Sequence, residues 1–288
     1  HLSLCTGYGG IDLGIKRAIN SVRTIAYVEI EAFQCANLVS KMEKGWLDAA
    51  PIWTNLKTFP WSSFRGKVDI LSGGFPCQPF SNAGKKAGDE DPRHLWPHIK
   101  RGIELVRPPI IFMENVEGII NSKLQSDQWS DPKGTSVLLH VLRELERLGY
   151  QAAAGIFSAA EVGLPQSRKR VFILGYAKSQ HDWRRKHQYI SKALQKRERE
   201  FYDFNASSES SFLSPRAQEQ NKFEPPRTIN EKIKPKMGGL FDGPSDRLDL
   251  SVFYEACESR TDELRSLGNG VVPQTATKAF HTLLKRLL

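Results

Sequence analysis

Short runs of apolar and β-branched residues alternate with segments of helical period from residue 2 to about residue 175. That alternation restricts the chain to an α/β architecture, because a strand–helix–strand repeat brings its strands together in parallel. Strands are expected at Leu2–Cys5, Thr24–Glu29, Val68–Ser72, Ile110–Glu114, Gln151–Ser158 and Val171–Gly175. Helices are expected at Ile11–Asn20, Ala32–Met42, Leu95–Val106 and Ser136–Leu148, where apolar residues recur at three- and four-residue spacing. Beyond Gly175 the pattern breaks. From Arg168 to Arg199 there are eleven Lys/Arg against two acids, Asp182 and Glu198. Asn205–Pro215 is Ser-rich and aperiodic, and Pro225-Pro226 and Met237-Gly238-Gly239 mark turns. Helical period returns from Glu263, interrupted by Gly268–Pro273. The organisation expected is an α/β domain over 1–175 and 266–288, with a smaller, basic and irregular insert over 176–265.

At 288 residues and 40% hydrophobic content, the chain can bury a sizeable core in one large domain with a small companion. Its 41 Lys+Arg against 32 Asp+Glu leave a net charge of +9, which favours a polyanionic partner. No apolar run approaches a membrane span and no signal peptide opens the chain. The first residue is His1 and a glycine-rich motif follows at once, so a few further N-terminal residues are expected. Cys5, Cys35, Cys77 and Cys257 form no CxxC and no cluster of zinc spacing. Free thiols in a reducing, cytoplasmic compartment are therefore expected, and no metal.

Leu4-Cys5-Thr6-Gly7-Tyr8-Gly9-Gly10 reads as a strand entering a glycine turn and then a helix. Such a turn lets backbone approach a ligand beside free helix N–H groups, and it equally serves as a plain connection. Its spacing is not GxGxxG, so a dinucleotide fingerprint is not met. Glu29 ends the second strand, where a carboxylate can accept from ribose hydroxyls; a solvated helix-start Glu reads the same way. The most informative stretch is Asp69–Ser81, in which a buried strand ends in Gly73-Gly74 and two prolines then bracket Cys77. A thiol on a rigid loop past the carboxyl end of a parallel strand stands where α/β active sites lie, so Cys77 reads as a nucleophile rather than as packing.

Pro76-Cys77-Gln78, Glu114-Asn115-Val116, Gln166-Ser167-Arg168-Lys169-Arg170 and Gly268-Asn269-Gly270-Val271-Val272-Pro273 follow in the order and spacing of the cytosine-C5 DNA methyltransferases. The chain resembles that family from Leu4 to about Phe280, except in the basic insert. The resemblance implies a doubly wound, mostly parallel, Rossmann-like methyltransferase sheet, with the insert as a target-recognition region. It implies that Cys77 adds to cytosine C6, that Glu114 hydrogen-bonds N3 and the exocyclic amine, and that Arg170 binds O2 with Arg168 beside the site. For S-adenosylmethionine (product S-adenosylhomocysteine) it implies Gly7, Tyr8, Gly9, Gly10, Glu29, Ile30, Asn55, Leu56, Pro76, Leu95, Asn269, Gly270 and Val271. Gln78, Ser81, Lys85, Lys86 and Arg93 would face nucleic acid. Asn55 stands where the family usually has Asp, Ser3 where Asp is frequent, and Cys5 where Phe is frequent.

The expected activity is methylation of a cytosine flipped out of double-stranded DNA, by a monomeric enzyme of the restriction–modification or phage type, with a cognate restriction endonuclease as a further partner. Two rivals stay open: a transfer-RNA cytosine methyltransferase and a catalytically silent DNA-binding homologue. A small-molecule methyltransferase explains neither the thiol nor the basic insert.

Overall fold

The computed structural model describes residues 1–76, 95–124, 129–164, 167–177 and 270–288. Cys77, Gln78, Ser81, Lys85, Lys86, Arg93 and Asn269 lie outside the described residues, as does the insert beyond Ala177. Among the described residues, seven strands form one sheet: β1 (Leu2–Leu4), β2 (Ala26–Val28), β3 (Ile52–Trp53), β4 (Ile70–Gly74), β5 (Ile110–Val116), β6 (Tyr150–Ser158) and β7 (Lys169–Ala177). Their order is β3-β2-β1-β4-β5-β7-β6. β1 to β5 pair in parallel, whereas β7 runs antiparallel to both β5 and β6. The order reverses at β1 and β4, which opens a crevice above their carboxyl ends.

Alternation along each strand assigns the two faces. Leu2, Leu4, Ala26, Val28, Leu71, Ile111, Met113, Val171 and Ile173 share one core with α3 (Trp96–Val106) and α4 (Val137–Arg147). Ile70, Ile110, Phe112, Phe172 and Leu174 point the other way, against α1 (Gly10–Ala18) and α5 (Pro273–Leu287). There Phe112 stacks on Phe172 at 5.4 Å and meets Phe280 edge-on at 5.2 Å, joining β5, β7 and the C-terminal helix. α2 (Ala32–Glu43) packs through Leu38 beside Tyr27 and Leu47. α1 and α5 meet so closely that a Cβ on Gly14 would lie 2.6 Å from the Ala276 Cβ.

The expected strands and helices all form, and β3 is an addition. It is a two-residue edge strand, too short to show a period. β4 starts and ends two residues later than its apolar run suggests, so Gly73 and Gly74 are strand residues. β7 extends to Ala177, past the expected edge of the insert at residue 176. No helix among the described residues is long and apolar enough to cross a membrane.

Candidate active site

The turn after β1 is built from left-handed backbone. Cys5, Gly7 and Gly9 have φ of 45°, 56° and 84°, and the chain enters α1 at Gly10. Cys5 carries a side chain in that region, at a cost of about 1–2 kcal/mol. A Cβ on Gly7 would touch nothing within 4 Å, so conformation rather than crowding calls for glycine there. The turn is fixed from below by Glu29. One carboxylate oxygen accepts from Gly7 N at 2.7 Å, and the other accepts from Ile30 N at 2.8 Å and Glu31 N at 2.9 Å. Burial raises the Glu29 carboxyl and these three amides oppose the rise.

The C-terminal motif closes the turn from above. Tyr8 Oη donates to the Val271 carbonyl at 2.6 Å, and a Cβ on Gly10 would stand 2.1 Å from that same oxygen. A Cβ on Gly270 would fall 1.6 Å from the Tyr8 ring. Glycine is needed at both places because backbone and ring lie in direct contact.

Glu114 sits beside this turn. Register pairs it with Gly74, where a Cβ would come within 2.9 Å of the Glu114 carboxylate. On the neighbouring strand Arg170 pairs with Val116, which makes Arg170 a diagonal neighbour of Glu114, and its Nε donates to Glu114 Oε1 at 3.0 Å. Burial pushes the Glu114 carboxyl up to about 7, against the pull of Arg170 and Arg168. A group so placed divides near neutral pH between a proton donor and an acceptor. Arg168 donates to the Gly270 carbonyl, tying β7 to the C-terminal segment, and burial lowers its own proton affinity. Asn115 holds the chain just beyond β4: its Nδ2 donates to the Phe75 carbonyl at 2.8 Å.

Together these elements border an open cleft lined by Cys5, Thr6, Gly7, Tyr8, Gly10, Ile11, Gln34, Gly74, Glu114, Gly270 and Val271. Six of the site residues expected from the motifs therefore line one cavity: Gly7, Tyr8, Gly10, Glu114, Gly270 and Val271. Gly9, Glu29, Arg168 and Arg170 border it through the contacts above. Ile30 is 69% exposed just past β2, and Pro76 is half-buried beyond β4. Asn55, Leu56 and Leu95 are not among the lining residues. The Asn55 side-chain oxygen caps a 3-10 turn by accepting from Lys57 N, while Leu56 and Leu95 pack into the core around Phe59 and Trp96. Motif reading missed Thr6, Ile11, Gln34 and Gly74 as lining residues, Gln34 being one polar residue among several on α2. Cys5, which stands where the family frequently has Phe, lines the cleft as well, and burial raises its thiol to about 12, so it stays protonated. Ser3 donates to buried Asp12 at 3.1 Å; a carboxylate at position 3 would instead oppose it.

The strand order, the lone antiparallel strand and the glycine turn after β1 define a Rossmann-like methyltransferase fold. A family model described as C-5 cytosine-specific DNA methylase matches residues 1–237, and the chain belongs to that family. Type II methyltransferase M.NgoMIV of Neisseria gonorrhoeae is 32% identical over 177 residues, 60% of this chain and 50% of that protein. Type II methyltransferase M.PspPI of Psychrobacter sp. (strain TA137) is 30% identical over 187 residues, 63% and 40% of the two chains. The chain thus spans about half the length of the curated relatives it matches. A solved structure of a DNMT2 mutant from Spodoptera frugiperda aligns with a TM-score of 0.49 at 23% identity, covering 62% of this chain and 50% of that one.

Proposed function

We propose that this chain is an S-adenosylmethionine-dependent DNA (cytosine-5)-methyltransferase. The observation that carries the reading is the buried, ion-paired Glu114 at the glycine-turn cleft, in register with Gly74, three residues ahead of Cys77 in sequence. Features of the cleft fit the cofactor. Gly7 leaves an open cradle, Glu29 keeps lone pairs beyond its three amide contacts, and exposed Ile30 offers an apolar surface suited to a purine. When bound, S-adenosylmethionine supplies the methyl group that cytosine C5 receives.

The residues do the rest. The Cys77 thiolate forms a bond to C6, and the ring electrons move towards C5 and N3. Glu114, protonated in part near neutral pH, donates to N3 as negative charge builds there. Arg170 holds Glu114 and, as a fixed cation, suits the cytosine O2. After C5 is alkylated, loss of its proton and expulsion of the Cys77 thiolate restore the aromatic ring. The insert over 176–265 is assigned to target recognition on double-stranded DNA. Its Lys/Arg-rich first half suits phosphate contacts, with Trp183, His187 and Tyr189 interleaved. A monomeric chain with a cognate restriction endonuclease as a further partner belongs to the same reading.

The test is methylation of unmethylated genomic DNA read by bisulfite sequencing. Methylated cytosines in one short context, absent with Cys77→Ser, are expected. Transfer RNA methylated in place of DNA would move the acceptor to RNA, and unchanged activity of Cys77→Ser would remove the nucleophile.

A further inference from the structure

Lys41 is a buried cation that the chemistry above does not use. It lies in the last turn of α2, 4% exposed, on the face that also carries Asn37 and Leu38. Its Nζ donates to the Tyr8 carbonyl at 2.7 Å and stands 4.9 Å from the centre of the Tyr8 ring. Tyr8 is gripped at its other end, where its hydroxyl meets the Val271 carbonyl. The same residue thereby ties α2, the glycine turn and the segment that returns the chain to α5. Burial draws the ammonium down to about 8, against the attraction of Asp12, itself buried on α1. An apolar side chain would fill this site without that penalty, so the retained charge calls for a role.

We propose that Lys41 is a positioning residue for the cofactor turn. By holding the Tyr8 carbonyl towards α2, it fixes the peptide that precedes Gly9 and keeps the Tyr8 ring seated on Gly270. Lys41 thus sets the shape of the wall that Gly7, Tyr8 and Gly270 give the cleft. This assignment rests on reading the cleft as the S-adenosylmethionine site.

The experiment compares the full chain with Lys41→Met and Tyr8→Phe, at a temperature where circular dichroism shows each one folded. Two quantities are read: S-adenosylhomocysteine affinity by calorimetry, and amide hydrogen exchange without ligand. Lys41→Met is expected to weaken binding by about tenfold or more, the scale of one lost charge-assisted hydrogen bond. It should speed exchange in residues 6–11 while leaving Ile110–Glu114 in β5 unchanged. Tyr8→Phe should weaken binding too, and the double variant should lose less than the product of the two single losses, since both cut one latch. Faster exchange across turn and β5 alike, or unchanged affinity with unchanged turn exchange, would make Lys41 a packing residue and overturn the proposal. No binding by the unaltered chain, with turn exchange still responding to Lys41→Met, would support the latch and refute the cofactor reading.

Discussion

Replacing Glu114 by Gln should make the protein more stable, by an amount that grows with pH. The Glu114 carboxyl is moved from an ordinary 4.5 to about 7 by burial, even with Arg170 at 3.0 Å. Between those values the folded protein holds more proton than the unfolded chain, so its stability falls as pH rises from about 4.5 through 7. At about 1.4 kcal/mol for each pH unit, the cost of the charge is about 1 kcal/mol at pH 5 and about 3 kcal/mol at pH 8. Gln keeps the shape of the protonated acid and removes the titration. Other titrating groups are common to both proteins, and the attraction of Arg170 for the carboxylate is already contained in the value of about 7. The change of the stability gap with pH therefore isolates Glu114. Urea unfolding of the two proteins at pH 5 and pH 8 should show the gap widening by about 2 kcal/mol in favour of Glu114→Gln. A gap that stays constant, or that moves towards the unaltered protein as pH rises, would refute the assignment of a buried carboxyl held against its charge. The same substitution should abolish methyl transfer, so stability and activity move in opposite directions.

Gly270→Ala would drive a Cβ to 1.6 Å from the Tyr8 ring, so the ring must leave its seat. A loss of about 1–3 kcal/mol in stability, together with weakened S-adenosylhomocysteine binding, should appear in unfolding and calorimetric titrations. Gly102→Ala offers the contrast: its Cβ would meet the buried Trp61 ring at 2.5 Å, far from the cleft in sequence and outside its lining. A stability loss of similar size, about 1–3 kcal/mol, should leave ligand affinity unchanged in the same titration. Arg147, His140 and Arg143 surround Asp131 and hold its carboxyl well below the usual carboxylate range. Its contribution is present above about pH 4 and is lost as pH falls further, so Asp131→Asn should destabilise the protein at neutral pH and progressively less in acid, by denaturant midpoints. DNA affinity should fall steeply between low and physiological salt through the basic insert, and a flat response in a filter or anisotropy titration would remove that assignment.

Much of this protein is set by local pattern. Short apolar and β-branched runs placed β1, β2 and β4 to β7, and apolar residues at three- and four-residue spacing placed α1 to α4, because each element must bury apolar surface and the chain repeats that demand. The glycine turn and Glu114 were equally visible, since a left-handed turn and a strand-end carboxylate each need particular residue types. Tertiary structure decided what those residues do to one another. Burial raises the Glu114 carboxyl, and the antiparallel course of β7 brings Arg170 diagonally to it to limit the rise to about 7, a balance that no spacing along the chain encodes. The return of residues 270–273 seats Gly270 on Tyr8, across a sequence separation of more than 250 residues. Lys41 falls within the helical pattern of Ala32–Met42, which does not tell where its ammonium goes. Packing buries it against the glycine turn, where it meets the Tyr8 carbonyl. Local periodicity tells which face of an element is buried, but the partner that face meets is chosen only when distant elements close on it. Burial, charge pairing and the protonation state of the site all follow from that choice.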